Sequence, residues 1–140
     1  MKAIGLALIL LLGLMTAALS QERLREQLIE REIKGKAGQD IRVAIFTNVL
    51  ADCTAGPLPT IRLVSPPEHG KLIVKKARLS ATNVKQCLAL EVPALVAFYK
   101  SAGDFAGSDS AVLEIKTAQG NVQLQRYSIS VSPTIPAQKI

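Results

Sequence analysis

Residues 111–116 read Ala111-Val112-Leu113-Glu114-Ile115-Lys116. Ala111, Leu113 and Ile115 alternate with Val112, Glu114 and Lys116. Period 2 is what a half-buried strand requires, because successive side chains leave the backbone on opposite faces. The pattern recurs upstream. Ile41, Val43 and Ile45 alternate with Arg42, Ala44 and Phe46, and Ile61 and Leu63 with Arg62 and Val64. Leu72 and Val74 alternate with Ile73 and Lys75. Leu88, Leu90 and Val92 alternate with Ala89 and Glu91, and Val96 and Phe98 with Ala97 and Tyr99. Downstream, Tyr127, Ile129 and Val131 alternate with Ser128 and Ser130. Val122 and Leu124 are out of phase with that last set, so a bulge is expected near Gln125 or Arg126.

Turn residues separate these runs. Ala55-Gly56-Pro57-Leu58-Pro59 cannot lie in a central strand. Pro66-Pro67-Glu68-His69-Gly70 is a rigid turn, Gly103 and Gly107 bracket another, and Gln119-Gly120-Asn121 suits a hairpin. Seven or eight short strands with frequent breaks predict an all-β, antiparallel, immunoglobulin-like sandwich over residues 29–131. Ser132 to Ile140, with Pro133 and Pro136, shows no partner pattern and is expected to be a flexible tail.

The 140 residues are one domain's worth of sequence, 49% hydrophobic but only 4% aromatic. That excludes a disordered chain. One His and two Cys leave almost nothing for a transition-metal site, so no metal and no cofactor is expected.

Residues 1–20 have the form of an export signal. Lys2 is the positive start, Ala3 to Met15 is an apolar and glycine run, and Thr16-Ala17-Ala18-Leu19-Ser20 supplies small residues. The run is short for a membrane span of about 20 residues. Cleavage is expected after Ser20, giving a periplasmic or secreted chain with no permanent membrane span. Cys53 and Cys87 are the only cysteines, and export sends them to an oxidising compartment, so one disulfide is expected. No C-x-x-C spacing is present to activate a thiol.

Gln21 to Lys36 is dense in charge. Leu24 and Leu28, then Ile29 and Ile33, have helical spacing. Ile29, Arg31 and Ile33 equally fit one face of a strand. The reading adopted is a short helical or frayed arm over residues 21–28, followed by a first strand.

Two stretches resemble a known family. Pro67-Glu68-His69-Gly70-Lys71-Leu72 is similar to the P-x-H-G-x-V turn of bacterial cadherin-like and immunoglobulin-like surface domains. Tyr99 to Ser110 resembles their Y-T-P-x-x-x-F-x-G-x-D-S motif, through Tyr99, Phe105, Gly107, Asp109 and Ser110. Lys100-Ser101 stand in place of T-P, and Ala111 and Leu113 in place of the aromatic F-x-Y that usually follows. The likeness is greatest to short, exported, single-domain forms with one cysteine pair. It implies a β-sandwich and adhesion or assembly roles, with no established activity for the single-domain forms.

The residues of these motifs read as structural. Gly70 and Gly107 suit positive φ or close backbone approach. Asp109 can close a turn by accepting from backbone amides. Phe105 and Tyr99 bury rings, and the Tyr hydroxyl then needs a partner. His69, Gly70, Asp104, Phe105, Gly107 and Asp109 are therefore expected to shape turns. His69 is the one possible imidazole base, with Ser65 and Glu68 near in sequence, but adjacent turn residues rarely form a nucleophile–base pair. A small hydrolase is the weakest alternative, and the chain is expected not to be an enzyme. Asp104 and Asp109, with Glu114 nearby, fall short of the six to eight oxygens calcium takes.

Charge is the more informative feature. Lys71, Lys75, Lys76, Arg78 and Lys85 fall together with no acidic residue among them. Such a cluster attracts polyanions. In an exported bacterial protein these are acidic glycan, lipopolysaccharide phosphate or anionic lipid. Nucleic acid is a poorer fit, because stacking aromatics are scarce. Lysines also protect a strand edge against aggregation. The sequence thus predicts an exported, non-enzymatic binding or structural module of the cell envelope. Its partner is an unidentified protein or an anionic glycan or lipid, and a polyanion-binding factor is the alternative reading.

Overall fold

The computed structural model describes residues 28–81, 87 and 90–134. Residues 1–20, where an export signal is expected, arm residues 21–27, Lys85 and tail residues 135–140 lie outside them. Period 2 becomes seven strands: β1 (Leu28–Lys36), β2 (Ile41–Phe46), β3 (Thr60–Ser65), β4 (Gly70–Ala81), β5 (Leu90–Ser101), β6 (Gly107–Lys116) and β7 (Val122–Ser132). They form a four-stranded sheet in the order β1-β7-β6-β3 and a three-stranded sheet in the order β2-β5-β4. Among the described residues there is no helix.

The two sheets share one core. The four-stranded sheet contributes Ala111, Leu113, Ile115, Tyr127, Ile129 and Val131, and the three-stranded sheet Ile41, Val43, Leu72, Ala97 and Tyr99. These are alternate residues of their strands, the inward set that the pleat selects. Cys53 and Cys87 are joined, with Cα atoms 5.4 Å apart. The bridge ties the β2–β3 connection to the β4–β5 connection at one end of the molecule.

The structure corrects four expectations. The sandwich is not wholly antiparallel, since β1 runs parallel to β7 from Leu28 beside Leu124 to Lys36 beside Ser132. Alternation reports which side chains are buried and is silent on strand direction. The bulge expected at Gln125 or Arg126 is absent, because β6 and β7 pair without interruption. Val122 and Leu124 sit opposite Lys116 and Glu114 on the outward face, and Val122 remains 47% exposed. Register shifts instead lie in β2, between Arg42 and Ala44, and in β3, between Leu63 and Ser65. The shift in β2 turns Ala44 and Phe46 toward the core and leaves Ile45 outside.

Third, the two runs around Pro93 are a single strand. Pro93 pairs with Arg78 of β4, and β2 joins β5 only from Leu95 onward. The missing N–H therefore falls where β5 has a neighbour on one side alone, which a strand tolerates. Fourth, the tail expected from Ser132 is tied down as far as Thr134. Ala37 N–H donates to the Ser132 carbonyl at 2.8 Å. The Ser132 and Thr134 hydroxyls donate to the carbonyls of Gly35 and Ala37 at 3.0 and 2.8 Å.

Candidate functional site

The two motif stretches meet at one end of the sandwich. Asp109, on β6, accepts the backbone N–H groups of Glu68 at 3.0 Å, His69 at 2.9 Å and Ser110 at 2.9 Å, and the Tyr99 hydroxyl at 2.8 Å. Burial works against its charge, but these donors outweigh that and hold the carboxyl below the usual aspartate range. The Tyr99 hydroxyl is pushed well above the ordinary phenol value by burial, then by the hydrogen bond to Asp109 and its charge. The His69 ring stacks on Phe105 with centroids 4.2 Å apart. Gly107 has φ +144°, a conformation that side chains rarely adopt.

Gly70 is a matter of space. A Cβ there would lie 2.5 Å from the Lys100 carbonyl oxygen and 2.7 Å from the Tyr99 ring. Gly70→Ala is accordingly expected to destabilise the fold by about 1–3 kcal/mol, the range for forced overpacking. A thermal melt checks this, and an unchanged midpoint would show that the ring can move aside.

This assembly commits its polar groups to holding the β3–β4 turn against β5 and β6. The lone pairs of Asp109 go to four donors, and Glu114 pairs with Arg62 at 2.9 Å across β3 and β6. Asp104 is exposed in the turn between β5 and β6. Among the described residues no group of three or more His, Cys, Asp or Glu is placed to hold a metal ion. His69 is half exposed, and its ring Nε2 lies 3.9 Å from the Glu68 carboxylate.

The basic segment is divided by the pleat of β4. Lys71 and Lys75 point to the outer face of the three-stranded sheet, away from the core, whereas Lys76 and Arg78 alternate to the other side. Arg78 pairs with Glu91 at 3.7 Å. The outer face gains two cations the sequence reading left out. Lys100 of β5 stands directly opposite Lys71, and Arg42 of β2 opposite Phe98. Across the sheet, Arg42, Phe98 and Ile73 form one row, and Ile45, Val96 and Lys75 the next. Lys75 Nζ lies 5.5 Å from the Phe98 ring centre, a cation–π contact.

Ile73 and Ile45 are 47% and 42% exposed on this face. Two hollows flank Phe98. One of about 440 Å³ is lined by Lys71, Lys100 and Ile73, with Asp40 and Glu68 also at its wall. The other, of about 460 Å³, is lined by Arg42, Lys75, Lys76, Ile45, Val96 and Leu79. Farther along β5, Val92, Ala94 and Val96 point the same way and are buried. The signal for Lys100 and Arg42 was strand register, which no local pattern carries. No protein-family model, curated protein or solved structure matches the chain.

Proposed function

We propose that the protein is an exported, non-enzymatic binding module of the bacterial envelope, and that the outer face of β2-β5-β4 is its contact surface for an anionic ligand. Binding proceeds by surface complementarity, with no bond chemistry. An immunoglobulin-like assignment is supported by the strand orders β2-β5-β4 and β3-β6-β7, which match the B-E-D and C-F-G orders of that architecture. The fit of the cysteine pair to an oxidising compartment supports export.

One observation carries the binding reading. Lys71 and Lys100 are direct cross-strand partners, and like charges so placed cost stability. Four cations of the outer face, Lys71, Lys100, Lys75 and Arg42, with Lys76 at the wall of the second hollow, surround exposed apolar side chains, against two carboxylates, Asp40 and Glu68. A protective lysine edge explains Lys75 and Lys71 but gives no reason for Lys100 on the central strand.

The test is retention on a sulfated-polysaccharide column eluted with salt. Screening makes such retention salt-dependent. The variant K71E/K100E is expected to elute at markedly lower salt than the wild type, and R78E close to it. Identical elution of K71E/K100E and the wild type would remove this face as the anion site.

A further inference from the structure

We infer that the ligand of this face is a single anionic amphiphile, a phosphate- or carboxylate-headed alkyl chain. Its head sits at Lys71 and Lys100, and its chain lies over Ile73 and Phe98 toward Ile45. The inference rests on the binding reading above and adds the chemistry of the ligand.

A ligand recognised by charge alone needs cations and water around them. This face instead sets its cations about an apolar centre. Ile73 and Ile45 are 47% and 42% exposed, and leaving large aliphatic side chains in water on a cationic surface gains nothing for a purely polar ligand. The order of side chains also has a direction. The paired lysines stand at the Gly70–Ser101 end of the β4–β5 hairpin. Behind them come Ile73 with Phe98, then Ile45, whose cross-strand partner Val96 is already buried. That sequence is a charged end followed by an apolar track, the same order as headgroup and chain.

The shape suits a molecule lying along the sheet. The two hollows of about 440 and 460 Å³ lie on either side of Phe98 and share its ring. The first is bounded by the lysine pair, and the second is bounded by Ile45, Val96 and Leu79, with Arg42 and Lys75 at its margin. Lys75, with its Nζ 5.5 Å from the Phe98 ring centre, sets a cation beside the track. A second copy of the chain is a poor occupant. A two-fold contact would bring the same four cations against themselves. Charge complementarity therefore selects an anion, and the apolar track selects one with a chain.

The experiment titrates the full-length exported chain, purified from the periplasm or medium, with dodecyl phosphate below its micelle concentration. Glycerol phosphate and dodecyl maltoside are the controls. Calorimetry reads affinity, and amide chemical shifts locate the site. Dodecyl phosphate is expected to bind on the order of a hundredfold tighter than glycerol phosphate, since a few buried methylenes suffice for that. The largest shift changes are expected at Ile73, Phe98 and Ile45. I73S and I45S, both at exposed positions and neither changing charge, are each expected to weaken dodecyl phosphate about tenfold, so that its advantage over glycerol phosphate shrinks. Two variants guard against one failing to fold.

Equal affinity for dodecyl phosphate and glycerol phosphate overturns the amphiphile while leaving the anion face standing. Equal affinity for dodecyl maltoside overturns the role of the headgroup. Binding to phosphatidylglycerol vesicles without any response to dodecyl phosphate overturns the single-molecule site in favour of a bilayer surface. Loss of retention in K71E/K100E tests the underlying reading separately.

Discussion

Replacing both Cys53 and Cys87 by serine is expected to lower the unfolding free energy by about 4 kcal/mol, the chain-entropy value for a loop of this size. The cross-link joins residues separated by 34 positions. It holds together two connections that the strand ladders reach poorly. The β2–β3 connection is organised by its own short bonds: Leu50 N–H to the Thr54 carbonyl at 2.8 Å and Cys53 N–H to the Leu50 carbonyl at 3.0 Å. Asp52 closes an Asx-type turn by accepting from Thr54 N–H at 3.1 Å and from its hydroxyl at 2.6 Å. Cys53 itself has φ +65°, unusual for a residue with a side chain. Without the bridge that conformation has less to hold it. Urea unfolding of the double-serine variant measures the loss, and its m-value should rise as the unfolded chain expands. A loss under about 1 kcal/mol would show that the entropic account does not describe this loop.

The second large effect is expected at Asp109. Asp109→Ala removes the acceptor for the backbone amides of Glu68, His69 and Ser110 and for the Tyr99 hydroxyl. Buried donors left without partners cost about 1–3 kcal/mol each, and the more exposed ones regain water. A net loss of about 3–4 kcal/mol follows, among the larger effects a single substitution produces. The pH dependence has a definite sign. The folded carboxyl lies below the usual aspartate value, so its contribution is complete above the unfolded pKa of about 3.9. It is lost as pH falls through the lower folded value. The stability gap between wild type and Asp109→Asn should therefore narrow on acidification below about pH 4. A gap that stays constant from pH 6 to pH 2.5 would mean that the charge of Asp109 contributes nothing.

The fold was largely readable because burial leaves a period. Ala111, Leu113 and Ile115 are inward, as their alternation requires, and so are Tyr127, Ile129 and Val131. The motif stretches were informative for a different reason. His69, Gly70, Tyr99, Phe105, Gly107 and Asp109 each have a conformation or a bond that few residue types satisfy, so their chemistry survives as a local signature. The outer face had no such signature. The pleat sends Lys71 and Lys75 to it, while Lys76, equally basic and adjacent, alternates away and reaches only the wall of one hollow. Lys100 and Arg42 join it only through cross-strand register. Ile45 was read with the inward set of Ile41 and Val43, and the register shift beside Val43 moved it outside. A helix-or-strand ambiguity at Ile29 and Ile33 was settled by β7, a partner about one hundred residues away in the chain, as the pairing of Ile33 with Ile129 shows.

That distant pairing bears on how the molecule comes to be assembled. Of the seven strands, residues 28–36 leave the ribosome first, and the segment they zip against is made last. Until residues 125 and 129 have appeared, Ile29 and Ile33 have no neighbour in the ladder. Closing so large a loop is entropically slow, and topologies dominated by such separations fold in milliseconds to seconds rather than microseconds. The last stitch of the four-stranded sheet thus joins its beginning to its end.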